Sequence, residues 1–290
     1  MSEKYYLILL FAMAFTGSAC GPNETANQRT SRQQATDSNS YTSNYSSKVS
    51  KDSPISYWRF SSYDAFLDLG VSAQNIQSIN PPNYFEGGPL LLDDTKAIPL
   101  ISSTSSIVIP HSPNQIQLPF TAEIFVRSAF LNQGATSYNK IAAKMNWGGS
   151  TGGWQLVSNN GEYKFQYAVN YATSNMTEMV SLGLASTQWV HLAVTVDFNG
   201  VKTYRDGNLV ASGNWLGTPQ TSSFSGPLVL GQNSNLCDGT VEGTDPVKLN
   251  KCRGEAFQGA VDEFAIYPVV LTASQIKAHY DAAISQGLQN

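Results

Sequence analysis

The sequence predicts an all-β protein in which two antiparallel sheets pack as a sandwich, closed by one short C-terminal helix. Three observations predict it. The first is a two-residue hydrophobic period in two segments. From Glu162 to Ala172, Tyr163, Phe165, Tyr167, Val169 and Tyr171 share one face while Lys164, Gln166, Ala168 and Asn170 share the other. From Trp189 to Phe198, Val190, Leu192, Val194, Val196 and Phe198 oppose His191, Ala193, Thr195 and Asp197. The second is the pair of tight-turn dipeptides Asn199-Gly200 and Asp206-Gly207, which joins consecutive strands into a meander. The third is the run of short apolar segments separated by Gly, Pro, Asn and Ser across residues 54–290, the punctuation of a sandwich.

Before that folded part the chain reads differently. Lys4 precedes an apolar run from Tyr5 to Phe15, the length of a signal-peptide core and short of the ~20 residues that span a bilayer. Thr16-Gly17-Ser18-Ala19 supplies small residues for cleavage, so residues 1–19 are expected to be a signal peptide, with Cys20 next. Small residues followed by cysteine resemble the lipobox of bacterial lipoproteins, although Gly17 stands where that family usually has Leu, Val or Ile. The resemblance implies a diacylated Cys20 as the mature N-terminus. The other reading is a conventional signal peptide cut after Ala19, with Cys20 an ordinary first residue. Gly21 following the cysteine, in place of Asp, implies by the family's sorting rule an outer-membrane destination.

Residues 20–53 follow as the anchor and its tether. Gly21 to Ser53 contains no Leu, Ile, Phe, Met or Trp and is dominated by Ser, Asn, Thr and Gln, which bury too little apolar area to offset the entropy of ordering. It is expected to be a flexible linker spanning ~30 Å as a coil. The three cysteines fit this scheme: with lipid on Cys20, Cys237 and Cys252 can pair in an oxidising compartment. Closing a loop of ~15 residues gains ~3 kcal/mol in the chain-entropy picture.

Composition limits the partners. Across 290 residues the apolar share is 41% and the charged share only 13%, with a net charge of −4 and scattered Lys and Arg. That is enough for a sizeable core, and it offers no basic stripe for nucleic acid. Further strands are expected at Ile55 to Phe60, Ser106 to Ile109, Phe120 to Phe130, Lys140 to Lys144, Trp154 to Ser158, Leu228 to Gly231 and Gly259 to Tyr267. The closing helix is announced by the capping box Thr272-Ala273-Ser274-Gln275. Ile276, Tyr280 and Ile284 then fall on one face, and Gly287 ends it.

Several segments resemble the LamG-like domains of the concanavalin A-like lectin/glucanase fold. Tyr57-Trp58-Arg59-Phe60 resembles the opening strand, and Phe120 to Val126 the next motif, with Phe125 in place of a usual Trp. Trp189 to Thr195, Tyr204-Arg205-Asp206-Gly207, Leu228 to Gly231, Phe257 to Tyr267 and Leu271-Thr272 with Ile276 follow in the family's order. The resemblance covers Tyr57 to about Tyr280. It implies a jelly roll over residues 54–290 with one curved, concave sheet. It also raises a structural Ca²⁺, with Asp262 as the motif position for a ligand; otherwise Asp262 caps a neighbouring loop by hydrogen bonds.

Catalytic signals are sparse. Glycosidases flank the scissile bond with two carboxylates, and adjacent strand residues such as Asp262 and Glu263 are expected to face opposite sides of the sheet. Gly148 to Gly152 matches a nucleophile-elbow pattern but lies between two β-segments, where the pattern has no meaning. His111, His191 and His279 have no evident local partner in the sequence. The expected function is therefore non-catalytic binding of a glycan or a protein partner. A structural or adhesive envelope component is one alternative, and a divergent polysaccharide-acting glycosidase the other. A sugar platform needs aromatic faces with amides and charges around them, which nominates Trp147, Trp154, Trp215, Gln166, Asn170, His191 and Arg205.

Overall fold

The computed structural model describes residues 45–61, 66–80, 86–90, 96–102, 105–131, 138–146, 152–168, 179–215, 222–234 and 256–288. The signal segment, Cys20, most of the tether, Cys237, Cys252, Trp147, Asn170 and the Gly148 to Thr151 loop lie outside the described residues.

The elements in chain order are α1 (Tyr45–Lys51), β1 (Ser56–Trp58), β2 (Ser78–Asn80), β3 (Glu86–Gly87), β4 (Lys96–Leu100), β5 (Ser106–Ile109), β6 (Phe120–Ser128), β7 (Asn139–Asn146) and β8 (Gly152–Asn159). They continue with β9 (Glu162–Ala168), β10 (Val180–Leu184), β11 (Val190–Val196), β12 (Gly200–Arg205), β13 (Asn208–Asn214), β14 (Leu228–Leu230), β15 (Gly259–Tyr267) and α2 (Ala273–Ser285). Among the described residues these strands form two antiparallel sheets. Sheet A runs β13-β12-β11-β6-β15-β4-β3, with β1 also paired to β15; sheet B runs β10-β9-β8-β7-β14-β5-β2. The crossovers between the sheets make this a jelly-roll sandwich.

The expected strands are present, shifted at their ends by up to about three residues; the expected extension of Glu162–Ala168 to Ala172 lies outside the described residues. Strands β2, β3, β4 and β10 were not expected from the sequence. They are short or polar and lack a clear alternation, and neighbours supply their pairing: Lys96–Leu100 lies against β15, and Val180–Leu184 against β9. The predicted meander is β11-β12-β13. Its second turn uses Asp206 and Gly207 at positive φ, as a two-residue hairpin with right-handed strand twist requires. A Cβ at Gly207 would stand 2.7 Å from Lys277 Cδ, because α2 rests on this turn.

Alternation divides each sheet cleanly. Phe120, Ile124, Val126, Leu192, Val194, Val196, Phe264 and Ile266 from sheet A meet Trp154, Leu156, Tyr163, Phe165 and Tyr167 from sheet B in the principal core. The opposite face of sheet A carries Tyr57, Phe125, Ala193, Tyr204, Ala265 and Tyr267, and both helices pack on it through Tyr45, Val49, Ile276 and Ala283. At β6, β11 and β15 sheet A is thus buried on both faces, and burial of this second apolar layer is what holds the helices down.

Two expectations about the ends of the fold need correction. The chain is not a flexible tether as far as Ser53: Tyr45–Lys51 is a helix whose Tyr45 and Val49 are fully buried. Two apolar residues four apart are enough when a sheet face awaits them, and the Tyr45 N–H also donates to Gln286 Oε1 at 2.6 Å. The buried face of α2 is also different. The capping box forms as expected, with Thr272 Oγ1 accepting from Gln275 N and Gln275 Oε1 accepting from Thr272 N. But Ile276, His279, Ala282 and Ala283 face inward, while Ile284 is 46% exposed. His279 points into the protein because an acid waits there.

Candidate functional site

Three constellations could carry function, and their geometry separates them. The first lies beneath α2. Glu123, mid-strand in β6, accepts from His279 Nδ1 at 3.0 Å, from His191 Nε2 at 3.1 Å and from the Tyr267 hydroxyl. His279 Nε2 donates in turn to Asp52 Oδ2 at 3.0 Å, just past the end of α1. Both ring nitrogens of His279 therefore face carboxylates, the setting of an imidazolium. Burial works against charge on both partners. It is outweighed: His279 and His191 hold the Glu123 carboxyl well below the usual range, and Glu123 and Asp52 raise the His279 pKa.

An Asp–His–Glu–His chain has the parts of a proton relay, but it has no access to a substrate. Glu123, His191 and His279 are each no more than 1% exposed, and Tyr45 covers them edge-on against Phe125, His191 and His279. The chain is a structural clamp between the two helices and the sheet.

The same burial governs the adjacent acids. Glu263 has a positive φ, and the β15–β6 register slips between Asp262 and Ala265, so a bulge interrupts the alternation. Asp262 and Glu263 consequently do not part to opposite faces, as strand alternation alone would have it. Burial and then Glu123, Glu263 and Asp262 together raise the Tyr45 pKa well above its ordinary value. Glu263 accepts from the Tyr57 hydroxyl and lies 3.7 Å from Arg59 Nε. Asp262 Oδ1 accepts from the N–H of Glu263, the next residue of its own strand, at 3.0 Å. A Ca²⁺ takes six to eight oxygens. Among the described residues no three acidic, imidazole or thiol side chains gather into a metal-holding group.

The second constellation is Lys144 at one end of the sandwich. Its ammonium donates to His111 Nδ1 at 2.8 Å and to the Gly226 carbonyl, and lies 5.5 Å from the centre of the Phe224 ring. Burial lowers its pKa to about 7. Lys144 is fully buried, so this amine is not presented to a ligand.

The third is open. Where α2 stops covering sheet A, Thr195 of β11 lies beside Lys202 of β12, and Lys202 beside Ser212 of β13. With Asp197, Asn199, Gly200, Asn214 and Val270 they line a cleft of about 200 Å³. The β11–β12 turn shapes its end: Asp197 Oδ1 accepts from Asn199 N at 2.6 Å and Gly200 N at 3.0 Å. Phe198, on the same turn, is 60% exposed.

Among the described residues, those nominated from sequence do not converge. Trp154 is buried in the principal core, its indole N–H donating to the Gln115 carbonyl at 2.7 Å. His191 is sealed under α2. Gln166 faces away from that core as expected, but on sheet B, at the end of the aligned row Val108, Val229, Ala143, Gln155, Gln166. Every member of that row is buried, and Gln155 Nε2 donates to Gln166 Oε1 at 2.8 Å. Arg205 is not on an open face; it crosses between the sheet edges to the Leu184 carbonyl and lies 3.4 Å from Asp206 Oδ2. Of the nominated residues that are described, Trp215 alone reaches the cleft, as a support. It packs on Tyr167 and donates its indole N–H to the Asp197 carbonyl at 2.7 Å, fastening the turn.

A jelly roll with one sheet sealed by helices and a polar cleft at its uncovered end is a lectin-like domain in architecture. The chain belongs to the concanavalin A-like lectin/glucanases superfamily: a laminin G model of that superfamily matches residues 102–277. No curated protein matches the chain by sequence. Among solved structures it is similar to the botulinum neurotoxin serotype D ligand binding domain in complex with N-acetylneuraminic acid (15% identity, 81% of this chain and 52% of that one, TM-score 0.57). It is also similar to the binding domain of Paraclostridial Mosquitocidal Protein 1 (16% identity, 79% and 52%, TM-score 0.57). A third likeness is domain 4 of AbnA, an extracellular arabinanase from Geobacillus stearothermophilus, in complex with arabinotriose (19% identity, 78% and 98%, TM-score 0.52). The chain spans about half the length of the toxin binding domains, and at these identities the likeness is one of fold.

Proposed function

We propose that the chain is an exported, lipid-anchored binding module that recognises a glycan through the cleft at Thr195, Lys202 and Ser212, without catalysis. One observation carries the reading. Hydroxyls, carboxamides and an ammonium converge beside an apolar wall at Val270, a mixture suited to sugar hydroxyls and to the apolar face of a sugar ring. The solved complexes with N-acetylneuraminic acid and arabinotriose, on similar folds, support a glycan as the ligand class. The burial of Glu123, Asp262 and Glu263 supports a non-catalytic role, since a pair of carboxylates must reach both sides of a glycosidic bond to cleave it. The signal segment, Cys20 and the polar tether support display from a membrane, with the domain held off the lipid surface.

Titration of the full chain with a panel of plant, bacterial and host oligosaccharides tests this. Binding of at least one panel member is expected, weakened about three- to tenfold in Asn214→Ala by loss of a carboxamide contact. Release of reducing sugar from a bound polysaccharide would contradict the non-catalytic reading. Absence of binding across the panel would contradict the glycan reading and favour a structural or adhesive role.

A further inference from the structure

Asn199, Lys202, Ser212 and Asn214 are exposed at the cleft and Thr195 is buried at its floor, whereas polar side chains inside the fold are held in place. Glu123, Asp68, Gln155, Gln166 and Lys144 are each held by hydrogen bonds within the protein. Among the described residues, the side chains of Thr195, Asn199, Lys202, Ser212 and Asn214 have no such partner. Charge within the cleft is also uneven. The Asp197 carboxylate accepts two backbone N–H donors of its own turn, whereas the Lys202 ammonium has no ion-pair partner among the described residues. Lys202 is fixed in register between Thr195 and Ser212, so an anion meeting the ammonium also meets two hydroxyls. The volume, about 200 Å³, is below the ~300–1,000 Å³ of drug-sized sites and suits a single ring.

We infer that the cleft takes an acidic sugar unit, a monosaccharide bearing a carboxylate. Lys202 holds the carboxylate as a point charge; Thr195, Ser212, Asn199 and Asn214 pair with ring hydroxyls, and Val270 covers the apolar face. This rests on the glycan-binding reading and narrows its ligand class. It also accounts for Lys202 on a strand face where an unpaired ammonium otherwise contributes nothing to the fold.

Calorimetric titration of the full chain tests it, using oligogalacturonate, oligoglucuronate and sialyllactose, each against its carboxyl-reduced neutral form. Wild type is expected to bind at least one acidic member about tenfold more tightly than its neutral form. That preference should fall below about threefold in Lys202→Gln, persist in Lys164→Gln on the other sheet, and weaken as salt is raised. Lys202→Arg keeps the charge and should keep the preference. Equal affinity for acidic and neutral forms, or a preference that survives Lys202→Gln, would overturn the acidic-sugar assignment while leaving glycan binding intact. No binding to any saccharide would remove both.

Discussion

His279 Nδ1 lies 3.0 Å from Glu123 Oε1, joining the last helix of the chain to the middle of a central strand across 156 positions of sequence. Through its other nitrogen the same imidazole reaches Asp52, so one ring ties α2, β6 and the residue after α1 together. Glu123→Ala leaves the buried His279 imidazolium with Asp52 as its one carboxylate partner, and the unfolding free energy should fall by about 3 kcal/mol. Urea denaturation followed by tryptophan fluorescence measures this. A loss below about 1 kcal/mol would mean that the clamp carries little of the fold's stability.

The clamp also sets a pH dependence. Burial tends to lower the His279 pKa, and Glu123 and Asp52 raise it above the ordinary value near 6.5 despite that. Its stabilisation is therefore fully present below about pH 6.5 and is lost as pH rises through the higher folded value. The groups facing His279 are Glu123, Asp52, Tyr267, Tyr45 and, across Glu123, His191. Asp52→Asn should shift the loss to lower pH. It should also speed amide exchange in Tyr45–Lys51, the helix it helps to hold. Unchanged exchange in that helix would show that burial of Tyr45 and Val49 alone secures it.

Lys144 acts with the opposite sign. Its folded pKa, lowered by burial to about 7, lies below the ~10.4 of an unfolded lysine, so the unfolded chain binds the proton more readily. Its contribution to stability should rise from pH 7 towards pH 10. Lys144→Met removes that penalty and should match or exceed wild type at pH 6, with the advantage shrinking as pH increases. Paired denaturation curves at pH 6 and pH 9 give the answer, and a variant equally destabilised at both would contradict it.

The fold was legible in this sequence because its strands announce themselves by alternation, as in Tyr163 to Tyr167 and Val190 to Val196, and its turns by Asn199-Gly200 and Asp206-Gly207. The same alternation was silent on what covers each face. His191 and Gln166 both read as outward polar residues, yet one lies under a helix and the other in a buried row on the opposite sheet. Glu123 was overlooked because its partners come from α2, β11 and β15, a register that no local pattern encodes. One signal was present: an acid inside an otherwise apolar strand, together with a histidine on the helix expected to clasp the sandwich. In the sequence, Asn199-Gly200 signals only a turn. That the turn also shapes a cleft with Lys202 and Ser212 follows from strand pairing and from where α2 ends, and neither is written in those residues.

Hydrogen–deuterium exchange of the full chain, with and without a saturating oligosaccharide from the panel, tests the central claim most directly. Protection is predicted at residues 195–202 and 212–214, around the cleft, with β8 and β9 of the other sheet unchanged. Protection at Gln155 and Gln166 in place of the cleft would put the ligand on the opposite face and contradict the account.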